Sequence, residues 1–553
     1  MLVLGLNLDG HDPSAALVAD GEIITVAAGD WHSWPDRACR EALPAAAEWC
    51  LAAAEVRASD LDAVAVSGGR RPVASGSAPA LAPAVVTALP AAFADLAQPP
   101  PVRLVDHAIA QAAGAFYPSG FDRAAVLIVG GPGMGESAWI GVADSDGIRP
   151  VERVPFPLPV ARMVRTAAQF AALERSGLPG DADALIDLAG YGRPGQAMPL
   201  QIRDHGLEFA AGFVVDDDAD DALRRWWRAN TFPYGDGTIP QPMAYAPFAA
   251  TVQTTVQAAV LHLARQARAR TGLPRLVFGG ELALNSAANG ALLESGTFDA
   301  VFVPPVAADD GIAVGAALHV AAEDGSERGR RVRRSPASHA CWGPEYTDND
   351  YRRALDAAGL RAVRHADGAL IKTVVRALLD GDIVAWFDGR AEVGRYAVGA
   401  RSLLADPRYR SAAARVNRIR ERDAWRSVTA SLLAEYVADY LSAPQGSPFT
   451  NIAVRVREEM RHRVPAIVHA DGTARAQAVT SEAAPRFHAL LTEFMRQTGE
   501  PVLLSCPFSV GTDAVVSTPD EAVRKFVDGA GVGMLVLGDN VVVKRDLGDA
   551  YER

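Results

Sequence analysis

His107 and Gln111 stand four residues apart in the stretch VDHAIAQAAGAFYPSGF. That spacing stacks two helix side chains on one face, so a second imidazole at 111 would complete a metal-binding pair; the glutamine supplies an amide instead. Nearer the amino terminus, His11 and Asp12 are adjacent in NLDGHDPS. A near-neutral imidazole suits general-base help to a hydroxyl acceptor, with a loop-capping pair as the plainer alternative. Gly279 and Gly280 precede Asn285 and Asn289 in FGGELALNSAANG. Paired glycines let backbone approach a ligand closely, and a helix opening near Asn285 presents N–H groups to an anion. Asp309–Asp310–Gly311 opens a second Ala-rich helix in the same manner. Downstream, eight arginines fall between Arg401 and Arg426, among them Arg420, Arg422 and Arg426. Guanidinium matches phosphate and carboxylate in shape, although a solvated helix face explains part of any such cluster. His469, Asp471, Thr473, Arg475 and Gln477 then follow in VPAIVHADGTARAQAV. This pattern predicts strand–turn–strand, with alternate residues facing one cavity.

The elements that must carry these residues show an internal repeat. LVLGLNLDGHDPSAALVADGEII reads as an apolar strand, a Gly/Asp loop, a second strand and a tight Asp-Gly turn. AAVLIVGGPGMGESAWIGVADSDGIRPV repeats the same order. Asp-Gly between apolar runs is a hairpin signal because both turn positions tolerate positive φ. Ala-rich helical sequence follows each hairpin. Two facing hairpins of this kind suit an actin-like, nucleotide-holding α/β domain, as internal duplication suits other folds. EDGSERGRRVRRSPASH is polar, Arg-rich and unpatterned, and reads as a linker.

A chain of 553 residues exceeds one hydrophobic core and implies two to four domains. The net charge of −12 argues against general nucleic-acid binding, which depends on positive charge. No apolar run has the roughly 18–20 residues of a membrane span, and the first residues lack the basic start of a signal peptide. The four cysteines, Cys39, Cys50, Cys341 and Cys506, form no CxxC pair, so neither a disulfide framework nor a zinc knuckle is indicated. The cytoplasm is the expected compartment.

Over almost its whole length the sequence resembles the carbamoyltransferases of nodulation-factor and antibiotic tailoring. The resemblance is carried by GLN…HDPSAALVADGEI, AFYPSGFD, LAGYGRP, GGELALNSAANGALLESGTFDAVFVPP, DDGIAVGAAL, GARSLLADPR, HADGTARAQAV and STPDEAV. It implies an actin-like (ASKHA) domain over residues 1–324, similar to tRNA threonylcarbamoyl-transfer proteins. A linker at 325–339 and a YrdC-like mixed α/β domain over 340–553, similar to threonylcarbamoyl-adenylate synthases, would follow. It further implies ATP and carbamoyl phosphate as co-substrates, a carbamoyl adenylate intermediate, an iron-type divalent metal and a small-molecule acceptor. Adenylation supplies a good leaving group, and cations neutralise the charge that develops during transfer.

The family pattern also exposes departures. His107 and Asp309 match two metal ligands, whereas Gln111 and Gly130 replace the other two, a histidine and an aspartate. Ala184 replaces a lysine, Tyr396 replaces an arginine in GRYAVGARS, and SCPFS (Ser505 to Ser509) replaces NTSFN. His11 and Asp12 are retained as catalytic candidates. Gly279, Gly280, Asn285, Asn289, Arg420 (a lysine in most relatives), Arg422, Arg426, His469, Arg475 and Gln477 remain as nucleotide or carbamoyl-phosphate candidates. Three expectations follow: an active O- or N-carbamoyltransferase with an incomplete metal site; a catalytically impaired pseudoenzyme or partner subunit of an active carbamoyltransferase; or a related acyl transferase or ligase, with Cys506 as a candidate nucleophile. The expected assembly is a homodimer, or a heteromer with an active homologue.

Overall fold

The computed structural model describes residues 1–8, 13–28, 39–67, 100–130, 137–155, 160–171, 173, 181–203, 206–215, 218–231, 242–327, 336–443, 446–510 and 515–544. His11 and Asp12 lie outside the described residues. Two compact units divide the chain, with the break between Ala337 and Ser338.

The first unit opens with β1 (Leu2–Asn7), β2 (Ser14–Ala19), β3 (Glu22–Ala27), α1 (Cys39–Ala53), β4 (Ala63–Ser67), β5 (Val102–Leu104) and α2 (His107–Phe116). It continues with β6 (Ala124–Ile128), β7 (Ala138–Asp144), β8 (Gly147–Val154), α3 (Val160–Phe170), α4 (Ala182–Ala189), β9 (Leu200–Arg203), β10 (Gly206–Phe209), α5 (Ala219–Asn230) and α6 (Ala246–Thr271). It closes with β11 (Arg275–Gly279), α7 (Ser286–Glu294), β12 (Ala300–Phe302) and α8 (Ile312–Glu327). The strands form two five-stranded sheets of one design, β3-β2-β1-β4-β5 and β12-β11-β6-β7-β8. In each, the hairpin is antiparallel and the two later strands add in parallel to the first. This is the duplicated plan expected of an actin-like domain. Both hairpin turns use positive φ as the sequence predicts, at Asp20 and Gly21 in one and at Gly147 in the other.

The continuous apolar runs of the central strands follow from burial on both faces. One face of the first sheet packs Leu4, Leu6, Leu17, Val64 and Val66 against Leu43, Ala47, Cys50 and Leu51 of α1. Its other face receives α8, and so closely that a Cβ on Gly5 would lie 1.9 Å from the Ala313 carbonyl oxygen. The helices after each fifth strand therefore exchange places: α2 follows the first sheet yet packs on β6 and β11, and α8 follows the second yet packs on β1, β2 and β4. Where they cross, a Cβ on Gly315 would lie 1.8 Å from the Ala110 carbonyl oxygen. Small residues at the crossing bring the amino-terminal ends of both helices together. The linker expected from 325 begins later, since α8 runs to Glu327.

The second unit contains α9 (Asp348–Ala357), β13 (Val363–Arg364), α10 (Asp367–Leu379), β14 (Val384–Phe387), β15 (Arg401–Ala405), α11 (Ser411–Ile419), β16 (Thr429–Leu433), β17 (Ala453–Arg455), β18 (Thr473–Val479), α12 (Pro485–Thr498), β19 (Val502–Pro507), α13 (Pro519–Asp528), β20 (Met534–Leu537) and β21 (Asn540–Val543). These strands form one mixed nine-stranded sheet in the order β13-β21-β20-β14-β15-β19-β16-β18-β17. Leu370, Val374 and Leu378 of α10 and Phe487, Leu491 and Phe494 of α12 cover one face, over Trp386, Leu404, Leu433 and Val536. One sequence expectation needs correction here. Only the second half of VPAIVHADGTARAQAV is a strand, Thr473–Val479; residues 464–472 are turns, bends and irregular backbone. Pro465 has no N–H to give a ladder, and the Val464 amide bonds back to the Met460 carbonyl instead.

Candidate functional site

In the first unit, Asp106 caps α2, its carboxylate accepting from the N–H groups of Ala108 at 3.0 Å and Ile109 at 3.2 Å. The cap fixes the start of α2, and Gln111 falls one turn after His107 on the same face. Across the crossing, Asp309 begins the turn that leads into α8. The Gln111 amide Nε2 donates to Asp309 Oδ1 at 3.0 Å, and His107 Nε2 lies 3.5 Å from the same oxygen. Asn7 Nδ2 donates to the Asp309 backbone carbonyl at 2.9 Å, tying β1 to this point. His107 and Asp309, distant in sequence, thus come together, and Gln111 reaches the same carboxylate oxygen. Gly130 is buried just past β6 and offers no side chain.

The donor set at this point bears directly on the expected metal. Among the described residues no group of three or more His, Cys, Asp or Glu side chains could hold an ion. Gln111 turns its nitrogen, a donor, toward the carboxylate, while its Oε1 is buried with no hydrogen-bond partner. An amide nitrogen cannot ligate a cation, and the one imidazole and one carboxylate that meet here among the described residues fall short of an iron-type site. The described residues do not fit that metal.

The glycine and asparagine candidates have internal partners. Gly280 adopts φ +92°, where a Cβ would sit 2.4 Å from the Val129 carbonyl oxygen, and its N–H bonds the Ala307 carbonyl at 2.7 Å. Asn285 caps α7 through its bond from the Ala288 N–H at 2.9 Å and exchanges two amide hydrogen bonds with Gln253 at 3.0 and 2.9 Å. Asn289 Nδ2 donates to the Ala283 carbonyl at 2.7 Å. Gly279 bonds back to β6, its carbonyl accepting from the Val129 N–H at 3.0 Å. These four residues pack β11 and α7 against the end of β6.

The second unit gathers cations. Arg420 follows α11, and its Nε donates to Ser509 Oγ at 3.0 Å. Burial first, then the charges of Arg426 and Arg475, push its guanidinium below the ordinary value, while neighbouring Cys506 acts in the opposite sense. Arg475, on β18 and 5% exposed, donates from Nη2 to Ser427 Oγ at 3.0 Å and lies 5.2 Å from the Tyr396 ring centroid. Gln477, one pleat further along β18, accepts from Ser431 Oγ at 2.9 Å and donates to the Val398 carbonyl at 2.8 Å. His469 Nε2 faces the Val428 carbonyl at 2.9 Å, and its Nδ1 lies 3.2 Å from Thr473 Oγ1. Since a carbonyl only accepts, Nε2 carries a proton. Arg422 holds the turn after α11 through its N–H to the Asn417 carbonyl at 2.8 Å, and Arg426 lies 5.7 Å from the Trp425 ring centroid. Cys506 is 1% exposed.

Two residues were not singled out in the sequence. Arg401 is 1% exposed; its guanidinium stacks 3.6 Å from the Phe387 ring centroid and donates to the carbonyls of Asp388, Gly389 and Ala400. Glu392 Oε1 accepts from the N–H groups of Val398 and Arg401, each at 3.2 Å. Together they fix the loop that carries Tyr396 and Val398 to Arg475 and Gln477. The signal was present in GARS, but an arginine that serves backbone carbonyls reads like any member of a cluster.

Residues 232–318 match the family model described as "Carbamoyltransferase N-terminus", and residues 375–544 match "Carbamoyltransferase C-terminus". The chain is 31% identical to nodulation protein NolO of Bradyrhizobium diazoefficiens, with 80% of this chain and 79% of the relative covered. It is 28% identical to nodulation protein NolNO of Sinorhizobium fredii, covering 97% of this chain and 79% of the relative. Among solved structures, the activator of 2-hydroxyisocaproyl-CoA dehydratase from Clostridium difficile, with bound ADPNP, overlays at a TM-score of 0.36 and 13% identity, covering 61% of this chain and all of that one. That score is too low to bear on function.

Proposed function

Because the chain belongs to the carbamoyltransferase family, we propose that it transfers a carbamoyl group from carbamoyl phosphate, by way of a carbamoyl adenylate, to a hydroxyl or amine of a small-molecule acceptor. Carbamoyl phosphate, ATP and water would give carbamoyl adenylate, phosphate and pyrophosphate. The acceptor oxygen or nitrogen would then form the new bond to the carbamoyl carbon as AMP leaves with the electron pair and the acceptor loses its proton. The observation that carries this reading is the cluster of Arg420, Arg426 and Arg475 beside Ser509 and Gln477. Arg475 is buried and Arg420 and Arg426 are half-buried, and guanidinium groups near enough for their charges to act on one another suit a multiply charged oxyanion, which offsets their repulsion. In this reading the second unit, of the threonylcarbamoyl-adenylate-synthase type, forms the adenylate. The first unit completes the transfer, with His11 and Asp12 as candidate base and orienting group.

The test is pyrophosphate release by the purified protein supplied with ATP, carbamoyl phosphate and hydroxylated or amino acceptors. Release that requires carbamoyl phosphate, and that falls about a hundredfold in Arg475→Ala, is the expected result. A second reading, a catalytically impaired partner of an active homologue, is favoured by the replacement of two ligand positions by Gln111 and Gly130. Pyrophosphate release without a carbamoylated acceptor from the protein alone, with more carbamoylated product on mixing with a homologue of the full ligand set than that homologue gives by itself, would select it. The related acyl-transferase reading gains nothing from Cys506, which is packed beside Thr429 and Arg420.

A further inference from the structure

We infer that the Gln111 amide stands in for a cation in the first unit, so that Asp309 is held by hydrogen bonds and no resident divalent metal binds at His107 and Asp309. The inference concerns the first unit alone and does not depend on turnover. Asp309 opens α8, His107 opens α2, and these helix ends are brought together by the glycine-lined crossing. Any carboxylate placed there needs positive charge or N–H donors around it. Gln111 meets that need through Nε2 at 3.0 Å, and His107 Nε2 stands at 3.5 Å from the same oxygen. Exchanging the amide atoms would set the Gln111 carbonyl against the carboxylate, a repulsive contact, unless an ion lay between them. One rotamer can therefore offer Asp309 an N–H or offer a cation its carbonyl, but not both. Asn7 fixes the backbone of Asp309 from the β1 side, so the carboxylate stays in place without a metal bridge.

The test needs only the full-length protein. Metal content is measured after purification, followed by calorimetric titration with Mn²⁺, Zn²⁺ and anaerobic Fe²⁺ and by melting with and without chelator. The expected result is substoichiometric metal, no saturable binding that depends on His107, and a melting curve unmoved by chelator. Gln111→Leu and Gln111→Met, which keep the volume and lose the N–H, are expected to lower the melting temperature of the first unit by several degrees. Stoichiometric binding of any of the three ions that is lost in His107→Ala would overturn the inference. So would Gln111→Leu and Gln111→Met variants that both melt like the parent protein.

Discussion

Tyr396 occupies the position at which an arginine is expected, and its ring lies 5.2 Å from the Arg475 guanidinium. The exchange removes one cation from the cluster and supplies an aromatic wall for another. A cation–π contact that is partly desolvated is worth about 1 kcal/mol. Tyr396→Leu should therefore raise KM for carbamoyl phosphate about fivefold in the pyrophosphate assay, by letting the guanidinium wander. Tyr396→Phe keeps the ring face and should behave like the parent. An equal defect in both variants would assign the role to the hydroxyl.

At the scale of elements, the crossing of α2 and α8 rests on glycine for steric reasons that differ from turn chemistry. Gly315→Val places its Cβ within 2 Å of the Ala110 carbonyl oxygen if nothing moves, since the Cβ position lies 1.8 Å away. The helices must separate, and overpacking of this kind costs about 3 kcal/mol or more. Gly368 is the opposite case, because a Cβ there meets nothing within 4 Å in α10. Gly368→Ala should leave the second unit as stable or up to about 0.5 kcal/mol more stable, as a helical glycine gives way to alanine. Denaturant melts that read each unit separately would check both, and similar losses in the two variants would refute the steric account.

At the scale of the whole molecule, two compact units each enclose a separate core, one around the duplicated sheets and one around the nine-stranded sheet. Scanning calorimetry should resolve two transitions, with Gly315→Val lowering one of them. Carbamoyl phosphate at about a hundred times its dissociation constant should raise the other by roughly 5 °C, through preferential binding to the folded state. An upward shift of the transition that Gly315→Val lowers would move the anion site to the first unit. None of the described helices is long and apolar enough to cross a membrane, and the 26-residue α6 is interrupted by glutamines and arginines.

The sequence by itself determined the elements whose signals are local. The two Asp-Gly hairpins, the Asn285 cap, the α7 and α8 starts and the arginine-rich segment are all written within a few residues, where turn chemistry and periodicity act. It also carried the family, through motifs spread along the chain. The first strand expected in VPAIVHADGTARAQAV failed because one proline and a backward hydrogen bond outweighed apolar composition. Only the tertiary structure decided what depends on neighbours remote in sequence. It turned the Gln111 nitrogen to Asp309, engaged Gly280 and Asn285 in packing, and set Tyr396 over Arg475. The physical reason is that a polar side chain's role is fixed by its partners, and these lie far along the chain, 32 residues for Asn285 with Gln253 and 198 for Gln111 with Asp309.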